Sequence, residues 1–147
     1  MTANDQGSYL KNRSYRRFSQ DHFISRETLC YLVDMPRTSA SARNAQPLKY
    51  ILSNDKEKNA IIFSMLAWAA YLKDWNGPAE GERPSAYIIM LGDTGISKNY
   101  FCDHGIAAQS ILLAAVEQGL GGCIVVNVKR DDLKKSLGIP EKYEIIQ

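Results

Sequence analysis

The sequence predicts an α+β domain in which helices layer against a sheet, and three observations point there. Segments of helical spacing and segments of β-branched residues are intermixed without a recurring strand–helix–strand period, which disfavours a doubly wound parallel sheet. One run, Gly105–Val116, is apolar almost all round and reads as a central helix buried on most faces. A glycine turn, Gly119 to Gly122, then leads into Cys123-Ile124-Val125-Val126, whose β-branched character suits an interior strand. With 147 residues, the chain is expected to be a single domain over 1–147.

The elements follow in order. Residues 1–7 are polar and read as a frayed start. Arg13, Ser14, Arg16 and Arg17 make a compact cationic patch with a hydroxyl beside it, pinned by Tyr15 and Phe18. Such a patch is either a solvated basic turn or a phosphate holder, since guanidinium forks match phosphate oxygens. Ser25 starts a helix reaching Met35, with Leu29, Leu32 and Val33 on one face and Pro36 at its end. The small polar loop Thr38–Asn44 runs through Ala45-Gln46-Pro47 into a strand at Lys49–Leu52. Asp55–Trp75 reads as one long amphipathic helix, followed by the turn-rich loop Asn76–Pro84. Ser85–Leu91 reads as a buried strand ending at Gly92-Asp93. Asp103 is expected to cap the central helix, and Gly119 to stop it. A short helix near Asp131 places Leu133 and Leu137 inward, Gly138-Ile139-Pro140 stops it, and Tyr143–Gln147 begins a strand.

Composition excludes several classes. Apolar content of 45% with 23% charged residues argues against disorder, and a net charge of +2 is too small to imply nucleic-acid binding. No leader pattern stands at Met1 and no run is long and apolar enough for a bilayer, so a cytoplasmic protein is expected. Cys30, Cys102 and Cys123 are too widely spaced for a zinc site or disulfide framework, and Cys123 reads as a small core residue. His22 and His104 lack metal-pair spacing. Gly119-Leu120-Gly121-Gly122 precedes a strand rather than following one, so it is no dinucleotide fingerprint. With no catalytic constellation among the side chains, a cofactor is expected to carry any chemistry.

Arg13-Ser14-x-Arg16-x-Phe18, Ser41-Ala42-x-Asn44-x-Gln46-Pro47, the central helix with Gly119-Leu120-Gly121, and Leu137-Gly138-Ile139-Pro140 occur in this order. Together, over roughly residues 9–147, they resemble the FMN-dependent nitroreductase family. The resemblance implies a layered α+β fold with a mostly antiparallel central sheet around a buried helix. It also implies a homodimer with FMN at the subunit interface. Arg13, Ser14 and Arg16 would hold the FMN phosphate. Ser41, Ala42 and Asn44 would approach the flavin from the partner subunit, and Gln46 would lie near its ring. Backbone groups of Ile124, Val125 and Val126 would face the isoalloxazine, the Val126 N–H reaching towards N5. The implied reaction takes hydride from NADPH or NADH and passes it to a nitroaromatic or quinone-like acceptor in two half-reactions. The Asn76–Pro84 loop, with Trp68, Tyr71 and Trp75, would shape the second-substrate pocket.

Two features depart from the family pattern. Asn12 stands where a basic residue is common, leaving Arg17 or Arg43 to compensate. Family members also continue past a segment like Tyr143–Gln147 into a C-terminal arm, so the chain reads as C-terminally truncated. A flavin-binding protein without turnover, and a related enzyme of flavin fragmentation or reductive dehalogenation, are the alternative readings.

Overall fold

The computed structural model describes the backbone of residues 3–147 and the side chains from residue 7 onward. Its organising element is β2 (Tyr87–Asp93), a strand that is apolar on both faces and mostly buried. A strand of that kind belongs in the middle of a sheet with both sides covered. β1 (Leu48–Ser53) pairs antiparallel along one edge, with Leu48 opposite Gly92 and Ser53 opposite Tyr87. β3 (Tyr143–Ile145) pairs antiparallel along the other, with Leu91 opposite Ile145, giving the order β1-β2-β3.

The side-chain period of two along β2 divides the core. Met90, with Ile88 beside it, packs on α2 (Arg26–Asp34) and α4 (Asp103–Glu117) against Leu29, Leu32, Ala107, Ala108, Ile111, Ala114 and Ala115. Ile89 and Leu91 pack on the opposite face against Ile62 of α3 (Lys56–Ser64) and Leu133 of α5 (Arg130–Ser136). The result is three layers, helix–sheet–helix. Ser25 caps α2 as its position predicts, its Oγ accepting from the Thr28 N–H at 3.0 Å. Among the described residues, no helix is long and apolar enough to cross a membrane.

Several expectations are corrected. A first helix, α1 (Ala3–Lys11), occupies most of the stretch whose polarity suggests fraying, because it packs against α4. Residues 1–2 of that stretch lie outside the described residues. Periodicity carries the predicted Asp55–Trp75 helix too far: α3 stops at Ser64. There Leu66 bridges to Val128 and the Ala67 N–H donates to the Asn127 carbonyl at 2.9 Å, so a tertiary partner takes the backbone that a helix would have used. Cys123–Val126 forms no strand. It is tethered by single bridges on either side, Gly122 to Ser14 and Val128 to Leu66, and no described strand lies alongside to build a ladder. Ile124 and Val126 are consequently exposed rather than interior.

The central helix is also more one-sided than its composition suggests. Asp103, Ala107, Ala108, Ile111, Ala114 and Ala115 are buried, whereas Gly105, Ile106 and Gln109 are exposed. Asp103 is not its cap: Cys102 takes that position without a side-chain bond, and Asp103 begins the first turn. Gly119 does stop the helix, in the left-handed conformation at φ 73°.

Candidate functional site

The cationic patch and the glycine turn meet. Ser14 bridges to Gly122 in parallel fashion, and the Tyr15 N–H donates to the Gly122 carbonyl at 3.1 Å. The Tyr15 ring then lies so close over Gly121 that a Cβ there would stand 2.6 Å from ring carbon Cδ2. Only glycine permits that approach. The Tyr15 hydroxyl donates to the Lys11 carbonyl at 2.8 Å, which ties the patch to the end of α1.

The arginines of the patch differ in their surroundings. Arg13 is exposed and, among the described residues, its guanidinium donates only to the Tyr9 and Asn12 carbonyls, at 3.4 and 3.0 Å. Arg16 donates to the Ser14 carbonyl at 3.0 Å and lies over the Tyr71 ring at 5.6 Å from its centroid. Among the described residues neither pairs with a carboxylate, whereas Arg17 stands 3.6 Å from Glu82. Arg17 is thus already partly neutralised and is the poorer candidate to compensate for Asn12. A groove of about 410 Å³ runs between Ser14–Arg17 and the side chains of Leu72 and Trp75. Its lining offers the Arg16 guanidinium, the Ser14 hydroxyl and the partly neutralised Arg17, with Arg13 next in the chain but outside the lining; this is a donor set suited to a phosphate.

Behind the glycine turn lies an apolar cavity of about 210 Å³, bounded in part by Phe18, Pro84, Tyr87, Leu112 and Cys123. Burial pushes the Cys123 thiol upward in pKa, against a smaller opposing pull from Arg16. It therefore remains a neutral thiol near pH 7 and is no nucleophile. Burial likewise raises the Tyr87 hydroxyl, with Arg83 opposing weakly. Trp68 is buried and packs between Phe63 and Trp75, while Tyr71 is exposed. The Asn76–Pro84 loop is held to the patch segment: the Phe18 N–H donates to the Glu82 carbonyl at 2.9 Å, and Gln20 Oε1 accepts from the Gly81 and Arg83 N–H groups.

The Ser41–Gln46 loop sits elsewhere. It is fixed at the start of α4, where the Ser41 hydroxyl donates to Asp103 Oδ2 at 2.6 Å and the Ala42 N–H donates to Oδ1 at 3.0 Å. Gly122 approaches α4 at Leu112, nine residues and roughly 14 Å further along the helix axis. Arg43, Asn44 and Gln46 all have positive φ, between 51° and 57°. For non-glycine residues that costs on the order of 1 kcal/mol each, least for Asn, and must be supported by surrounding contacts.

Of the predicted site residues, the structure therefore joins Arg13, Ser14 and Arg16 to the segment holding Ile124, Val125 and Val126. It leaves Ser41, Ala42, Asn44 and Gln46 apart within one chain. Three contributions are absent from the sequence-based reading: Tyr71, expected at the second-substrate pocket, lies beneath Arg16, Tyr15 lies over Gly121, and Asp103 lies beneath the loop. Each acts on a residue distant in sequence or through a ring's placement, so no local pattern marks it.

A model of the nitroreductase family matches residues 10–147. The chain belongs to the nitroreductase family. A putative NADH dehydrogenase/NAD(P)H nitroreductase from Parabacteroides distasonis superposes with a TM-score of 0.77 at 24% identity, over 99% of this chain and 83% of that one. An FMN-dependent nitroreductase from Clostridium difficile gives 0.75 at 24%, over 96% and 82%. The NADPH:FMN oxidoreductase of Vibrio harveyi, complexed with NAD+, gives 0.75 at 22%, over 97% and 65%. At these identities the likeness establishes the fold, which is that expected for the family. No curated protein matches the sequence.

Proposed function

We propose that this nitroreductase is an FMN-dependent oxidoreductase that passes reducing equivalents from NADPH or NADH to a nitroaromatic or quinone-like acceptor. The observation that carries the reading is the junction of Ser14 with Gly122, which joins two guanidinium groups without carboxylate partners among the described residues to the segment 124–126, where Ile124 and Val126 are exposed. FMN, when bound, would supply the hydride chemistry that links the two half-reactions. The chain's own residues bind and orient. Arg13, Arg16 and the Ser14 hydroxyl hold the phosphate, and the backbone of Ile124–Val126 addresses the ring. Neutral Cys123 and the apolar cavity wall keep that side of the site free of competing nucleophiles. The solved relatives described as FMN-dependent or as NADPH:FMN oxidoreductases support the same chemistry.

Purified protein is expected to take up FMN, and anaerobic NADPH or NADH is expected to bleach its visible bands, with menadione or nitrofurazone restoring them. Absence of flavin bands after incubation with FMN overturns the reading. Bound flavin that neither nicotinamide bleaches favours a passive binder instead.

A homodimer completes the proposal, because a second copy of the chain can bring its Ser41–Gln46 loop to this patch. Apolar surface supports the pairing: Tyr9 is 59% exposed and Leu10 67% exposed on α1, beside Ile106 at 39% on α4. Light scattering is expected to give twice the mass of one chain. Ile106→Glu should weaken association at least tenfold, and a monomeric wild-type protein with full FMN affinity would refute the shared site.

A further inference from the structure

Within the flavin reading, the Ser41–Gln46 loop has so far been assigned its contacts by resemblance alone, and its hydrogen bonds assign them differently. A serine hydroxyl has a single proton to give. Ser41 gives it to Asp103 Oδ2 at 2.6 Å, and Ser41 Oγ in turn accepts the Gln46 N–H at 2.9 Å. The second Asp103 oxygen takes the Ala42 N–H at 3.0 Å. The carboxylate and the Ser41 hydroxyl together thus close the loop from Ser41 to Gln46.

Breaking that ring to free the Ser41 proton is unfavourable. Asp103 is only 5% exposed, so its oxygens have little water to turn to when a protein donor leaves. It also stands in the first turn of α4, where the exposed N–H groups favour a negative charge and hold it in place. The loop itself is strained, with Arg43, Asn44 and Gln46 in the left-handed region and exposed. Backbone of that kind persists only when its neighbours impose it. The Ser39 and Ser110 hydroxyls, 2.9 Å apart, tie the approach to α4, and within the loop the Asn44 and Ala45 N–H groups donate to the Ser41 and Ala42 carbonyls at 2.9 and 3.1 Å, so the loop's own turn rests on the two residues that Asp103 holds.

We infer that Asp103 is the positioning residue of this loop: its carboxylate consumes the Ser41 proton and the Ala42 N–H, helps hold Arg43, Asn44 and Gln46 in their left-handed conformations, and so presents Asn44 and Gln46, rather than Ser41, to the flavin ring. The ligand in this statement rests on the flavin reading; the clamp does not. Ser41 therefore acts through Asp103 and is not itself a flavin donor.

Hydrogen exchange and flavin titration test the two halves separately. Asp103→Asn retains one acceptor oxygen and turns an amide towards the other donor. The Ala42 and Gln46 amides are expected to exchange at least tenfold faster in this variant, while α4 amides beyond the first turn are unchanged. FMN and riboflavin affinities should fall by the same factor, about tenfold, since the loop faces the ring and not the phosphate. The spectrum of the saturated complex should change in the same way for Asp103→Asn and the milder Ser41→Ala. In the double variant the loss should equal that of Asp103→Asn alone, the signature of two residues acting as one unit. Additive losses would show Ser41 bonding the flavin directly and overturn the inference, as would unchanged exchange at Ala42 and Gln46. If the amides respond but wild-type protein binds neither flavin, the clamp stands and the flavin reading falls.

Discussion

Replacing both Arg13 and Arg16 with Ala is expected to weaken FMN binding by at least a hundredfold while leaving riboflavin affinity within about threefold. Each charge-assisted contact to a phosphate is worth roughly 1.5–3 kcal/mol, and about 1.4 kcal/mol corresponds to a factor of ten. The two losses will not add fully, because both groups face one dianion. Riboflavin lacks the phosphate, so it separates charge loss from general damage at the site. That control matters most for Arg16, which also lies over Tyr71 and contributes packing as well as charge. Arg16→Lys should therefore recover part of the FMN affinity, although a point charge matches phosphate less well than a planar fork. The patch is largely exposed, so rising salt should weaken FMN and spare riboflavin, the Debye length being about 10 Å at 0.1 M. Fluorescence titration of both flavins reads all these effects. Equal losses for the two ligands would place the phosphate elsewhere.

The sequence carried the fold wherever local pattern and final environment agree. Tyr87–Leu91 is apolar at consecutive positions and becomes the strand buried on both faces. Ser25 precedes a run with apolar residues on one face and caps α2. Leu133, with Gly138 beyond it, marks α5 and its stop. Failures occur where a distant residue decides. Helical spacing continues through Leu72, yet the chain leaves the helix at Met65 because Asn127 and Val128 claim its backbone. The β-branched run at Cys123–Val126 has strand propensity but no strand to pair with. Propensity describes what a segment fits, and pairing decides what it becomes.

The site divides along the same line. Arg13, Ser14 and Arg16 are legible because the chemistry needed for a phosphate is packed into four adjacent positions. Their meeting with Gly122 is not, since it depends on two loops returning to one point. Asp103 shows the limit most clearly. A carboxylate at the head of a helix has a ready local explanation as a cap, and that explanation is wrong. Its partners are Ser41 and Ala42, separated from it by 62 and 61 positions. A local rule was satisfied in appearance while the side chain was committed to long-range work.

The largest effect on stability is expected at Leu133, in the helix layer across β2 from α4. Leu133 is 1% exposed and packs with Ile62, Ile89, Leu91, Ile139 and Ile145, joining α5 to the sheet and to α3. Leu133→Ala removes buried methyl groups and leaves a cavity that the rigid surroundings fill only in part, at a cost of about 2–5 kcal/mol. For a chain of this size that lowers the unfolding midpoint by roughly 10 °C. Leu133→Met conserves volume and should cost below about 1.5 kcal/mol. This core lies across β2 from Met90, α2 and α4. Leu133 also lines the cavity behind the glycine turn, however, and Arg130 of α5 donates to the Val126 carbonyl at 2.9 Å. FMN and riboflavin affinities of the folded Leu133→Ala fraction should therefore fall together, by a factor of a few. Thermal unfolding without flavin, together with FMN and riboflavin titration well below the midpoint, separates stability from affinity. If FMN affinity falls much further than riboflavin affinity, the damage reaches the phosphate patch, and the cavity and the Arg130–Val126 bond couple α5 to the whole site. If stability alone falls, the helix layer that includes α4 carries the loop clamp independently of the core on the far side.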